Sequence, residues 1–302
     1  MIITAILAAT VIWCLFYSVL PLILLILLCL FTGGLIAAMS RHRHEGFLVI
    51  DTLAQSSRLN KVNPALKLLT VLILMLLCIA SDSPVIGLYL SLTMLILILY
   101  AGGLKLHEYL SLLSVPVSFL LLSGLALLIE YNIQPAGVIN LPVFHGYFIV
   151  SRTAQVRAAL ILSKALGAIS CLYFLSLSTP LSDIINVLRR FHMPDIMIEL
   201  MYLIYRYIFI LLEMYHSMRN AAKSRLGYTD FPAALHTTGK IYSNLLARSY
   251  QKANKNFDAM ESRCYTGILR FLEDRKSISP LQMTVAVSLI IITLGLTLAL
   301  HK

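Results

Sequence analysis

Charge is scarce in this chain. Of its 302 residues only 13% are charged, with 14 Asp+Glu against 24 Lys+Arg, while 59% are apolar and the mean hydropathy is +0.85. A soluble domain carries about 25% charged residues because its surface must stay solvated. Too few charges are present here to cover a water-facing surface, so the missing surface faces lipid.

Other absences narrow the chemistry. Cys14, Cys29, Cys78, Cys171 and Cys264 show no CxxC spacing, which argues against a disulfide framework or a zinc site. Four of them lie in apolar runs, where cysteine behaves as a small hydrophobe. There is no phosphate-binding loop: the Gly239-Lys240 pair has Ala234 where the loop's first glycine should stand, so the chain does not hydrolyse ATP in that way by itself. There is also no HExxH, no GxSxG and no paired-carboxylate cluster inside an apolar run, and an intramembrane enzyme would need such a cluster. Carriers place ionisable groups on their substrate path, yet only Lys164 and Arg206 interrupt the apolar runs, with Glu130 at a run's end. His42 and His44 sit in a basic stretch, Arg41–Glu45, which reads as a solvated loop rather than a metal site. No metal ligand set and no catalytic residue is assigned.

What the chain has in abundance is long apolar blocks. Ala65–Ala80, Val85–Ala101, Leu110–Ile129, Ala158–Leu177 and Leu281–Leu300 compare with the roughly 17–25 residues a spanning helix needs. The first is short and requires its flanks. Residues 1–44 form an additional hydrophobic segment, uncharged through Met39 and long enough for one or two spans. The expected fold class is therefore all-α, a polytopic membrane protein with about five to seven transmembrane helices. Asn63-Pro64, Ser83-Pro84, Thr179-Pro180 and Ser279-Pro280 mark helix starts, with a capping side chain before a proline at the first helical position.

Charge distribution orients these spans. Fourteen of the 24 Lys+Arg lie between Pro180 and Pro280, five more lie at 41–67, and Lys105 follows the second block. Cytoplasmic loops retain Lys and Arg, so these three regions are expected on the cytoplasmic side of the cell membrane. The loop Asn132–Arg157 is expected opposite. Nucleic-acid binding is a poor explanation for a basic protein this apolar.

The region 180–280 has its own organisation. Leu181, Ile184, Ile185, Leu188 and Phe191 form the apolar face of a short interfacial helix. Two long helices follow, at about 194–226 and 233–265. Asp195 and Glu199 are placed in the first turn of the former, opposing the positive helix end, and Gly227 is read as its stop signal. One stripe carries Leu211, Tyr215, Met218 and Ala222; the other carries Leu246, Tyr250, Ala253, Phe257 and Met260. Each helix would reach roughly 45 Å. Neither is apolar enough to span, and together they read as a platform whose exposed faces need a partner.

Both platform helices end alike, in Ser224-Arg225-Leu226 and Ser262-Arg263-Cys264, with a tyrosine two or three residues after the arginine. An arginine at a helix C-terminus complements the dipole. A guanidinium at a projecting tip also offers a bidentate bond to a partner carboxylate.

These features resemble a family, the T component of energy-coupling-factor (ECF) transporters, in its cobalt/nickel, CbiQ-like branch. The likeness covers about residues 47–300. It is carried by Ser57-Arg-Leu-Asn-Lys-Val-Asn-Pro-Ala-Leu-Lys67, by Ser178-Thr-Pro-Leu-Ser-Asp183, and by Glu199 through Tyr205-Arg-Tyr-Ile-Phe209 to Glu213. The two tips stand where the family has its paired Ala-Arg-Gly coupling motifs; both arginines match, both alanines are serine and both glycines are replaced. Residues 1–44 have no counterpart in that pattern, so the T-component-like region is 45–302. The resemblance implies a non-catalytic scaffold without a cofactor of its own. Its implied partners are two cytoplasmic ABC-type ATPase subunits, which bind ATP and dock at Ser224–Leu226 and Ser262–Cys264, and a separate substrate-binding membrane subunit. Competing readings are a shared T component for vitamin uptake, a self-sufficient carrier and an intramembrane enzyme.

Overall fold

In a computed structural model of the chain, residues 51, 53–132, 139–143, 146–265, 276 and 279–300 are described. The hydrophobic segment 1–44 and the His42/His44 stretch lie outside them. The described residues fall into two compact units: those up to Pro180 together with those from Lys276 onward, and those from Leu181 to Tyr265.

The first unit is a helical bundle. Among the described residues its longer helices are α1 (Pro64–Ala80), α2 (Pro84–Leu97, prolonged by a wider turn to Gly102), α3 (Leu106–Leu128), α4 (Arg152–Ser178) and α8 (Pro280–Leu300). Four stretches, Pro84–Gly102, α3, α4 and α8, are long and apolar enough to cross a membrane, and α1 is an apolar helix of 17 residues. This is the five-helix set read from hydropathy. Large apolar side chains such as Leu72, Leu76, Leu88, Leu92, Phe119 and Leu298 are exposed, as expected where the neighbour is lipid. Two of the anticipated proline-preceding caps are made: Asn63 Oδ1 accepts from the Ala65 N–H at 3.0 Å and Ser83 Oγ from the Val85 N–H at 3.4 Å. At Thr179-Pro180 the helix begins one residue later, at Leu181.

Helix α4 is central, packing against α1, α2 and α3. Its buried positions are largely small: Ala154, Ala158, Ser163, Gly167, Ser170 and Cys171. Lipid supplies no hydrophobic drive between helices, so association depends on close backbone approach through small residues. The crossing with α2 is the closest case. A Cβ at Gly87 would stand 2.1 Å from the Ser163 carbonyl oxygen, and one at Gly167 would stand 2.9 Å from the Gly87 oxygen.

Several polar groups inside the bundle find protein partners. Pro116 lies within α3; lacking an N–H, it leaves the carbonyl four residues earlier without its helical donor. That carbonyl, on Leu112, accepts from the Tyr173 hydroxyl of α4 at 3.2 Å. Lys164 Nζ donates to the Ile79 carbonyl in the last turn of α1 at 3.1 Å and stands 3.7 Å from Asp82. Lys67, buried near the start of α1, donates to the Ser178 carbonyl at the end of α4 at 2.7 Å.

Between α3 and α4 the chain forms a three-stranded antiparallel sheet, β1 (Glu130–Asn132), β2 (Ile139–Val143) and β3 (Gly146–Val150), in the order β1-β3-β2. Sequence reading treats this stretch as loop, because strands this short carry too little alternation to register. Val150 anchors the sheet in a small cluster with Leu128 and Ala158.

The second unit contains α5 (Leu181–Arg190), α6 (Asp195–Ser224) and α7 (Phe231–Glu261). Helix α5 buries Ile185 and Val187 and leaves Leu181 exposed, as is Phe191 in the turn that follows. It is tied to α6 by the Tyr202 hydroxyl, which bonds the Asn186 side chain and the Ser182 carbonyl.

Because Gly87 faces backbone, Gly87→Ala is expected to lower stability by about 1–3 kcal/mol through overpacking. Gly239, in α7, has nothing within 4 Å of an added Cβ, so Gly239→Ala should raise it by about 0.8–1 kcal/mol through helix propensity. Thermal unfolding of both variants in detergent checks the opposite signs.

Candidate functional site: the paired helix tips

Helices α6 and α7 pair antiparallel, because their side-chain contacts run in opposite order along the two. Glu199 accepts from the Tyr265 hydroxyl, Tyr207 bonds Asn256, and the Tyr215 ring stacks on Tyr242 with centroids 6.0 Å apart. Between the first two contacts lies a cavity of about 430 Å³, walled mainly by Ile196, Leu200, Leu203, Ala253, Phe257 and Met260.

The sequence-read stripes are divided by this geometry. On α6, Leu211, Tyr215, Met218 and Ala222 are half-buried. On α7, Ala253, Phe257 and Met260 line the cavity, whereas Leu246 and Tyr250 are 73% and 70% exposed. Contacts that periodicity did not single out hold the pair as well, through Tyr242, Asn256, Tyr207 and Glu199, and Ile241 of α7 is buried. Glu199 stands in the second turn of α6, not the first, and is buried against Tyr265. Its role is a side-chain bond rather than compensation of the helix end.

The two tips close in the same way. At the end of α6 the Gly227 N–H donates to the Ala222 carbonyl at 2.9 Å and the Leu226 N–H to Lys223 at 3.1 Å. At the end of α7 the Tyr265 N–H donates to Met260 at 3.1 Å and the Cys264 N–H to Glu261 at 3.0 Å. Both are Schellman closures, and they superpose the two sequences in register: Ser224 on Ser262, Arg225 on Arg263, Leu226 on Cys264. Leu226 and Cys264 hold the left-handed position, with φ 58° and 59°. The stop expected at Gly227 is thus made one residue earlier. Gly227 is closely packed instead: a Cβ there would stand 3.0 Å from the Ala222 carbonyl and the Thr237 side chain. All six residues, Ser224, Arg225, Leu226, Ser262, Arg263 and Cys264, are exposed.

Because the pair is antiparallel, Arg225 lies at the turn into α7, and Arg263 lies beside the start of α6. Roughly 40 Å of α6 separates the two positions at about 1.5 Å per residue. The tips differ in one respect. The residue after the left-handed position is an unadorned Gly227 in the first, but in the second it is Tyr265, held by Glu199. Among the described residues, no group of three or more His, Cys, Asp and Glu is arranged to hold a metal ion.

A left-handed conformation costs a non-glycine residue about 1–2 kcal/mol. Leu226→Gly and Cys264→Gly are therefore each expected to stabilise the 181–275 unit by about 1 kcal/mol, read as a shift in its unfolding midpoint; a loss of stability would show that these positions are unstrained. At Tyr265 the hydrogen bond to the Glu199 carboxylate, then burial, push the phenol above its ordinary value. The neutral phenol is the form the fold favours. Its contribution is complete below about pH 10, the ordinary tyrosine value, and is lost as pH rises through the raised one. Tyr265→Phe should abolish that alkaline loss in unfolding curves taken between about pH 8 and 11.

Comparison with known proteins bears on what such a chain is. The model of the cobalt transport protein family CbiQ matches residues 55–275. An uncharacterized protein of Methanocaldococcus jannaschii is 30% identical over 225 residues, 74% of this chain and 83% of the relative. A putative fused cobalt transport protein CbiMQ of Methanocorpusculum labreanum is 30% identical over 254 residues, 83% of this chain and 42% of the relative. The cobalt transport protein CbiQ of Salmonella typhimurium is 25% identical over 223 residues, 72% and 97% of the two chains. With a match across most of its length, including both helix tips, this multi-pass membrane protein belongs to the CbiQ family of cobalt transport proteins, a family of transporter components rather than enzymes.

Proposed function

We propose that the chain is the transmembrane coupling subunit of an ECF-type importer for cobalt or nickel ions. It receives movement from two cytoplasmic ABC-type ATPases and passes it to a substrate-binding membrane subunit. The observation that carries this reading is the pair of matching tips. Each presents a Ser-Arg on the same Schellman closure, and they stand at opposite ends of one antiparallel helix pair. One geometry used twice suits two equivalent receiving grooves, and each arginine has the donor fork for a bidentate bond to a carboxylate. The chain has no phosphate loop of its own, so energy must come from elsewhere. The 14 Lys+Arg between Pro180 and Pro280 favour a cytoplasmic position for the tips.

Two further points support the assignment. The fused relative, of which this chain covers 42%, favours a second component acting beside a chain of this kind. Lys164, the ionisable residue that could mark a carrier's path, is engaged by the end of α1 and by Asp82, which argues against self-sufficient transport.

The test is co-purification of co-expressed ATPases with wild type, Arg225→Glu, Arg263→Glu and the double variant. Losing one buried, hydrogen-bonded charge pair costs about 2–5 kcal/mol. Each single reversal should therefore reduce ATPase recovery and the double should abolish it, with membrane insertion unchanged. Full retention in the double variant would mean that the arginines only close their helices.

A further inference from the structure

The segment Ser57–Lys67, which leads into the first turn of α1, has no part in the tips, yet several of its side chains are buried and hydrogen-bonded. Ser57, Asn63 and Lys67 are all buried. Ser57 caps the short turn Arg58–Lys61 and donates its hydroxyl to the Gly102 carbonyl at the end of α2, at 3.4 Å. Lys67 Nζ donates to two main-chain carbonyls, Leu59 at 3.0 Å and Ser178 at 2.7 Å. Asn63 uses both ends of its amide: Oδ1 caps α1, and Nδ2 donates to the Lys276 carbonyl at 2.8 Å. The Lys276 ammonium in turn donates to Asn60 Oδ1 at 2.8 Å.

Two of these partners have a special place in the chain. Ser178 is the last residue of α4, two residues before the chain leaves the bundle after Pro180. Lys276 is the first residue on its return from the 181–275 unit. One short segment therefore grips the chain at both of its crossings, by main-chain carbonyls that no substitution at those positions would remove. The grip on Ser178 is charge-assisted and buried, the stronger kind of hydrogen bond.

We propose that Ser57–Lys67 is a clamp that fixes both crossings. In that role Lys67 and Asn63 are positioning residues for coupling. Displacement of the 181–275 unit is delivered to the ends of α1, α2 and α4 instead of being absorbed by slack in the connections. This rests on the coupling reading above. A loose crossing would let the ATPases cycle without moving the bundle; a clamped one transmits.

The test uses the full chain co-expressed with its ATPase and substrate-binding partners, as wild type, Lys67→Met, Asn63→Ser and Lys61→Met. Lys67→Met keeps the length of the side chain and removes the donor. Asn63→Ser retains a cap of the kind Ser83 makes before Pro84 in this same protein but cannot reach Lys276. Lys61 is exposed on the same segment, so Lys61→Met controls for loss of charge. Expected in Lys67→Met and Asn63→Ser are normal ATPase recovery and ATP hydrolysis, with cobalt uptake per ATP hydrolysed lowered about tenfold, an ordinary size for coupling between sites. Lys61→Met should behave as wild type. Unchanged uptake per ATP in both clamp variants, or loss of ATPase recovery along with uptake, overturns the proposal.

A partner-free readout separates this from the coupling reading. In the purified chain, amide hydrogen exchange over Leu175–Thr179 should quicken about tenfold in Lys67→Met through local opening, and stay unchanged in Lys61→Met. Unaltered exchange in Lys67→Met overturns the clamp whatever the partners do. Failure of wild type to hold any ATPase overturns the coupling reading, and the transmission role with it.

Discussion

Inside a bilayer no water is present to satisfy a backbone carbonyl, and each unsatisfied group costs several kcal/mol. The bundle is organised around that constraint. Helix interiors satisfy themselves, so the exposed liabilities are helix ends and prolines. Here Lys67 supplies the end of α4, Lys164 supplies the last turn of α1, and Tyr173 supplies the carbonyl orphaned by Pro116. Helices α1 and α4 exchange these services: a lysine near the start of α1 serves the end of α4, and a lysine within α4 serves the end of α1. Such exchanges fix the register of one helix against another, which non-directional apolar packing does not.

Register matters because α2 and α4 are packed at backbone distance. With Gly87 against the Ser163 carbonyl and Gly167 against Cys78 and Gly87, a slip of one residue would place a side chain where only hydrogen fits. The same small residues that permit this approach make α4 the least apolar of the spans. Its content of Ser, Gly and Ala is a packing requirement rather than a polar path.

The 181–275 unit obeys different rules. Its long helices show a few apolar contacts spaced along an antiparallel pair and polar clasps at Glu199–Tyr265 and Tyr207–Asn256. Each tip keeps a non-glycine residue in a left-handed conformation, which puts a leucine or a cysteine at the surface beside the arginine. Local strain of this kind persists where the surroundings over-determine it and clusters at functional positions. The second tip is further held by Tyr265, so the two are matched in backbone but not in side-chain bonding.

By itself the sequence determined the apolar spans, the Asn63 and Ser83 caps, the two amphipathic helices and the repeated Ser-Arg at their ends. These are properties of contiguous residues: hydropathy over a helix length, a side chain two residues from the N–H it caps, a stop where periodicity ends. Only the tertiary structure decided that the Leu112 carbonyl meets Tyr173 across 61 residues, that Asn63 meets Lys276 across 213, and that Glu199 is a clasp for Tyr265. It also moved the α6 stop from Gly227 to Leu226, against glycine's preference, and set Gly227 close to Thr237 and the Ala222 carbonyl. Such pairings follow from which helices the chain brings together, and hydrogen bonds made across that distance leave no period in the sequence to read.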